Sequence, residues 1–131
     1  MNTTSFLIPD SQLFPLNQRR FYDGIEACFE CASSCWISAD AFLNEKASTG
    51  LHKSIQRCLS CAEICARAAK VFLSFAHGEI QGMKEALLEC WEACRLCAEE
   101  CRQYLGEYEH CLICSICCDQ VCRICERYLR E

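Results

Sequence analysis

Residues 90–125 read CWEACRLCAEECRQYLGEYEHCLICSICCDQVCRIC and hold ten of the chain's sixteen cysteines. The cysteines recur every three or four residues, the spacing that sets side chains along one face of a helix. Gly106, the only glycine in the stretch, falls near its middle. The reading is two antiparallel helices facing each other across a shared wall of thiols, and the rest of the chain has to supply the other walls.

It does so by repetition. C-x2-C-x3-C occurs four times: Cys28, Cys31 and Cys35; Cys58, Cys61 and Cys65; Cys94, Cys97 and Cys101; Cys111, Cys114 and Cys118. At 100° per residue each triplet spans about a 60° arc. Cys90, Cys122 and Cys125 extend the same faces, and Cys117 lies off its helix's arc. Both prolines fall in the first fifteen residues, which leaves the remainder free for long helices. The spacing predicts helices near 17–46, 51–76, 80–105 and 107–130, with Asn17 capping the first. Gly50, Gly78, Gly82 and Gly106 fall at or near the turns, and Gly24 is the exception. Short links give an all-α, antiparallel up-down-up-down four-helix bundle with a cysteine-lined core over 17–131. Residues 1–16 form an N-terminal extension whose Phe6, Leu7, Ile8, Leu13 and Phe14 suit packing on the bundle or on another subunit.

Tight turns fix the register between antiparallel neighbours. They predict one layer of Cys35, Cys61, Cys97 and Cys114, and a second of Cys31, Cys65, Cys94 and Cys118. A third holds Cys28, Cys90 and Cys122 with Ala68. A fourth holds Cys58, Cys101 and Cys111 with Ser38. The layers stack about 5 Å apart, one helical turn, as a thiol tube. Phe21, Phe72, Phe75, Met83, Leu87 and Leu129 should close one end. Tyr104, Tyr108, His110 and, less centrally, His52 should mark the other as a mouth. His77 should cap the second helix, and Met83 should pack in the core.

Net charge −5 and a pI near 5.2 argue against nucleic acid. No stretch approaches the roughly 20 apolar residues that span a bilayer. The N-terminus lacks a basic n-region and an unbroken apolar run, so the expectation is a cytoplasmic protein with reduced thiols. Sixteen cysteines in register exceed what core packing needs, and long helices do not need disulfide staples.

Thiolates select soft ions. One Cu(I) replacing one thiol proton leaves the buried interior neutral. Zinc held by four thiolates leaves two net negative charges per site, which is costly to stack. A ferredoxin motif starting at Cys111 fails, because its fourth position is Val121 and no proline follows. Zinc ribbons place C-x2-C in turns, whereas these pairs lie mid-helix. An iron–sulfur or thiol redox protein and a zinc-stabilised interaction module stay as alternatives to copper. Catalysis has little support: only Cys111, beside His110, comes near the exposed helix-start position of a reactive thiol. Glu63, Glu92, Glu99 and Glu100 are expected in solvent.

CFECASSC (28–35), CLSCAEIC (58–65), CWEACRLCAEEC (90–101) and HCLICSICCDQVCRIC (110–125) each sit on their own helix. With this pattern the chain resembles the cysteine-rich four-helix-bundle copper storage proteins, in their cytosolic branch, from about Ala27 to Leu129. The resemblance implies many Cu(I) ions bound reversibly inside each bundle by the sixteen cysteines. It also implies a homotetramer, and His110 as the histidine at the open end. Any copper chaperone or efflux partner stays unknown. Two departures stand out: Phe21, Gly24, Ser38 and Phe42 occupy flanking positions of the first helix, and Cys117 is additional.

Overall fold

Long runs of good helix formers, free of proline after residue 15, become four helices: α1 (Leu16–Leu43), α2 (His52–Ala76), α3 (Met83–Arg102) and α4 (Glu109–Leu129). A 3-10 turn, Ser48–Leu51, leads into α2. The computed structural model describes residues 16–45, 48–78 and 81–130, with backbone only for 16–20 and 48–49. The expected 1–16 extension therefore lies almost entirely outside the described residues.

α1 packs on α2 and α4, and α3 packs on α2 and α4. Sequential neighbours thus run antiparallel around a square, as the repeat implied. None of the described helices is long and apolar enough to cross a membrane.

The helices are shorter than their periodic patterns. α1 stops at Leu43, where Asn44 turns back its amide and its side-chain Nδ2 onto the Asp40 carbonyl at 3.2 and 2.8 Å. Asn17 lies inside α1 rather than capping it. α2 ends as expected: the His77 ring Nδ1 lies 2.9 Å from the Leu73 carbonyl, and Gly78 takes a left-handed φ of 97°. α3 begins at Met83 because Gly82 is left-handed, with φ 78°. A turn over 103–108 separates α3 from α4, with Tyr104 accepting the amides of Glu107 and Tyr108 at 2.9 and 3.0 Å.

Aromatic clusters close both ends of the core. At one end Phe21, Phe72, Phe75 and Tyr128 pack together, with centroids 5.1–6.4 Å apart. Leu87 is buried in the same core, and Met83 and Leu129 pack against it half-buried. At the other end Phe42 is fully buried. Its ring lies edge-on to Tyr104, Tyr108 and His110 at 5.7, 5.5 and 4.7 Å.

Candidate metal centre

Between these plugs the core is sulfur. Every cysteine is a free thiol and fifteen are buried; Cys117 alone is half-buried. Four groups of four sulfurs have all members within 4.8 Å of one another. They are Cys31, Cys61, Cys65 and Cys94; Cys31, Cys35, Cys61 and Cys118; Cys35, Cys97, Cys114 and Cys118; and Cys58, Cys97, Cys101 and Cys114. A trio of Cys28, Cys65 and Cys90 adjoins them. The groups share corners, so the sulfurs form one connected array rather than separate sites.

The register follows the sequence through most of the tube: across α1–α2, Cys35 shares a group with Cys61 and Cys31 with Cys65, and across α3–α4, Cys97 meets Cys114 at 3.9 Å. Cys35 meets Cys97 and Cys114 at 3.8 and 3.6 Å, and Cys31 meets Cys94 and Cys118 at 4.0 and 3.6 Å.

α2 departs from the expected layers in part. Cys61 touches Cys94 at 3.7 Å and Cys118 at 4.0 Å, and Cys58 reaches Cys97 at 3.9 Å. Cys65 still meets Cys94 at 3.4 Å and Cys58 still shares a group with Cys101, as the register implied, so only Cys61 exchanges its expected neighbour on α3, Cys97, for Cys94.

The third layer also changes. Cys65, not Ala68, joins Cys28 and Cys90. Cys125 is the thiol that shares a hydrogen bond with Cys90. The Cys122 thiol points out of the array and donates to the Trp91 carbonyl at 3.5 Å.

Hydrogen bonding and burial divide the thiols. Cys61, Cys90 and Cys114 are pushed down because each accepts hydrogen bonds from surrounding thiols, led by Cys118, Cys125 and Cys101 respectively. Cys35, Cys65, Cys94 and Cys97 are pushed well up as partners of that network, led by Cys114, Cys28, Cys118 and Cys101, and burial adds to the rise. At the margins burial dominates, raising Cys111 to about 11 and Cys122 to about 12.

His110 sits where α4 begins, between the array and the surface. Its Nδ1 lies 3.0 Å from the Ser38 hydroxyl and 3.8 Å from the Cys111 sulfur. The Ser38 hydroxyl donates to the His110 carbonyl at 3.4 Å, so it accepts the Nδ1 proton. Nε2 then carries the lone pair, and it is buried with no hydrogen-bond partner. Burial lowers the His110 pKa, which favours this neutral form. His52 is exposed.

Two features escaped the sequence. Glu100, expected in solvent, is 5 % exposed. Its carboxylate accepts from the Ser54 hydroxyl at 2.7 Å and lies 3.9 Å from the Lys53 ammonium. The α1–α4 seam carries a groove of about 440 Å³, lined by Glu30, Ser34, Ile37, His110, Ile113 and Cys117 among others. Cys117, off the arc in sequence, belongs to this groove, where burial raises its pKa and a Ser34 hydrogen bond opposes the rise.

A bundle with closed ends and a continuous sulfur array is a container for thiophilic ions. The chain belongs to the copper storage protein family, whose model matches residues 17–130. It is also similar to solved structures of a cytosolic copper storage protein from Streptomyces lividans. The five-copper structure is 28 % identical, with TM-score 0.83, covering 88 % of this chain and 97 % of that one. A structure loaded with 10 copper equivalents is 27 % identical, with TM-score 0.82 and 95 % of each chain covered. A variant of that protein with two histidines replaced by alanine is 29 % identical, with TM-score 0.80, covering 86 % of this chain and 94 % of that one. Among curated proteins none matches this chain.

Proposed function

We propose that this protein stores Cu(I) in the cytoplasm, holding many ions per chain as thiolate complexes in the sulfur array, with all sixteen cysteines and His110 as ligands. The observation that carries this reading is the sharing of corners. Cys31, Cys35, Cys61, Cys65, Cys97, Cys114 and Cys118 each belong to two groups, so a filled core must bridge ions through common sulfurs.

The spacing suits such filling. An ion about 2.3 Å from each thiolate holds its sulfurs about 3.8–4.0 Å apart in tetrahedral or trigonal geometry. The sulfur contacts of Cys31, Cys35, Cys61, Cys97 and Cys114 across the array run from 3.6 to 4.0 Å. Zinc satisfies the distances and fails on charge, since adjoining four-thiolate sites accumulate negative charge in a buried core. Cu(I) at one ion per thiolate leaves the core neutral. Iron–sulfur clusters need room for inorganic sulfide between cysteine sulfurs, and contacts this short leave little.

Storage rather than catalysis fits the thiols. Cys111, beside His110, is pushed up to about 11 by burial, the reverse of what a nucleophilic thiol needs. The family resemblance suggests a homotetramer. It is supported by a heptad stripe on α1, where Phe29, Trp36 and Leu43 are 53, 50 and 57 % exposed. The preformed array lets copper bind without folding the chain.

Anaerobic titration of the reduced protein with Cu(I) against a competing chelator tests the function. The expected end point is well above four ions per chain, and saturation at one to four overturns the reading.

A further inference from the structure

We propose that this protein also takes copper as Cu(II), reducing it stoichiometrically with the Cys65–Cys94 thiol pair and keeping the Cu(I) so formed on neighbouring thiols. The inference rests on the storage reading and adds a second, oxidised form of the cargo to it.

The donor set drives the reduction. The five groups of convergent ligand atoms consist of sulfur alone, with no carboxylate or imidazole in them among the described residues. Such a site suits Cu(I), whereas Cu(II) prefers nitrogen and oxygen ligands in a tetragonal arrangement. A core that stabilises the reduced ion and not the oxidised one makes Cu(II) a stronger oxidant there. The free thiols around it are the electron donors.

Geometry singles out one pair. The Cys65 and Cys94 sulfurs lie 3.4 Å apart, closer than the other sulfur contacts across the array, which run from 3.6 to 4.0 Å. A disulfide holds its sulfurs about 2.05 Å apart, so the two must approach by about 1.4 Å. They sit on different helices, α2 and α3. The contacts inside one helix, Cys31 to Cys35 and Cys61 to Cys65, are longer at 4.0 Å. Helical residues four apart keep their Cβ atoms about 5–6 Å apart, beyond the roughly 3.5–4.5 Å of a disulfide.

The same pair is the one the array can lose. Closing it breaks the group of Cys31, Cys61, Cys65 and Cys94 and the trio of Cys28, Cys65 and Cys90, and leaves the other three groups of four whole. Closing Cys31 to Cys118, or Cys35 to Cys114, both 3.6 Å apart, would break three of the four. Cys31 and Cys61 keep their thiols beside the new disulfide and remain as ligands.

The step balances. Two Cu(II) ions take one electron each. The S–H bonds of Cys65 and Cys94 break, one S–S bond forms, and two protons leave to water. The two Cu(I) ions then replace the thiol protons of Cys31 and Cys61, so four protons are released for every two ions. Cu(II) is the oxidant, and no other enters.

The test is anaerobic addition of two equivalents of copper(II) sulfate to the reduced full-length protein. The electron paramagnetic resonance signal of Cu(II) should vanish. A thiol count on the denatured, copper-stripped chain should fall by two from sixteen. Mass-spectrometric peptide mapping should place the disulfide between Cys65 and Cys94. Cys65→Ser and Cys94→Ser should each slow the loss of the Cu(II) signal severalfold. A persistent Cu(II) signal, an unchanged thiol count, a disulfide mapped to another pair, or wild-type rates in both variants would each overturn the proposal. The mapping is made on the wild type and so does not depend on how the variants fold. Failure of the storage reading is separate, since it appears as low capacity when the wild type is titrated with Cu(I).

Discussion

The sulfur of Cys65 lies 3.4 Å from that of Cys94, across the seam between α2 and α3. Cys94 also sits 3.7 Å from Cys61 and 4.0 Å from Cys31, so one side chain joins three helices. Cys94→Ser puts a hard oxygen where three soft neighbours converge. It should lower copper capacity by more than one ion. Cys122→Ser, whose thiol is turned to the Trp91 carbonyl, should lower it by one at most. Native mass spectrometry of the loaded variants reads both numbers, and equal losses would deny the shared-corner arrangement.

Gly24 lies inside α1 because Phe72 occupies the space its side chain would need. A Cβ there would stand 3.1–3.2 Å from three atoms of the Phe72 ring. That ring is held by Phe21, Phe75 and Tyr128 and has little room to yield. Gly24→Ala gains about 1 kcal/mol of helix propensity and loses about 1–3 kcal/mol to overpacking. The expected outcome is a lower melting temperature for the copper-free protein; a stabilised variant would show that Phe72 moves freely.

Ser54 is the close hydrogen-bond donor to a buried carboxylate, at 2.7 Å from Glu100. Removing it leaves Glu100 with the longer 3.9 Å contact to Lys53, which is largely exposed. Ser54→Ala should cost about 1–3 kcal/mol. The shift should appear in the urea midpoint with an unchanged slope. Glu100→Gln keeps an acceptor for Ser54 and should cost less.

Burial raises Cys111 from 9.0 to about 11 and Cys122 from 9.0 to about 12. The folded state thus prefers the protonated thiol. Its stabilising contribution is complete below pH 9 and is lost as pH rises through 11 and 12. The reduced, copper-free protein should therefore become less stable between pH 9 and 12 in anaerobic thermal melts. The loaded protein, whose thiols have already given up their protons to metal, should show a smaller decline. A flat profile for the copper-free form would contradict the burial of these two thiols.

The four-walled tube was legible because helical periodicity acts within a single stretch of chain: Cys28, Cys31 and Cys35 share a face whatever surrounds them. Register between helices needed the turns. Most expected pairings hold across both α3–α4 and α2–α3, where Cys65 meets Cys94, and Cys61 alone on α2 lies against Cys94 rather than Cys97. Tyr128, three residues beyond Cys125 on the same stripe, carried a readable signal that it belonged to the closed end. Gly24, Phe42 and Glu100 carried none. Their roles depend on Phe72, His110 and Ser54, each distant in sequence and brought close only by packing.

The aromatic cluster of Phe21, Phe72, Phe75 and Tyr128 holds the helices together without help from the cargo. The empty vessel therefore keeps an apolar anchor of its own, and a molecule that gives up its metal to a competing ligand retains the packing it needs to be filled again.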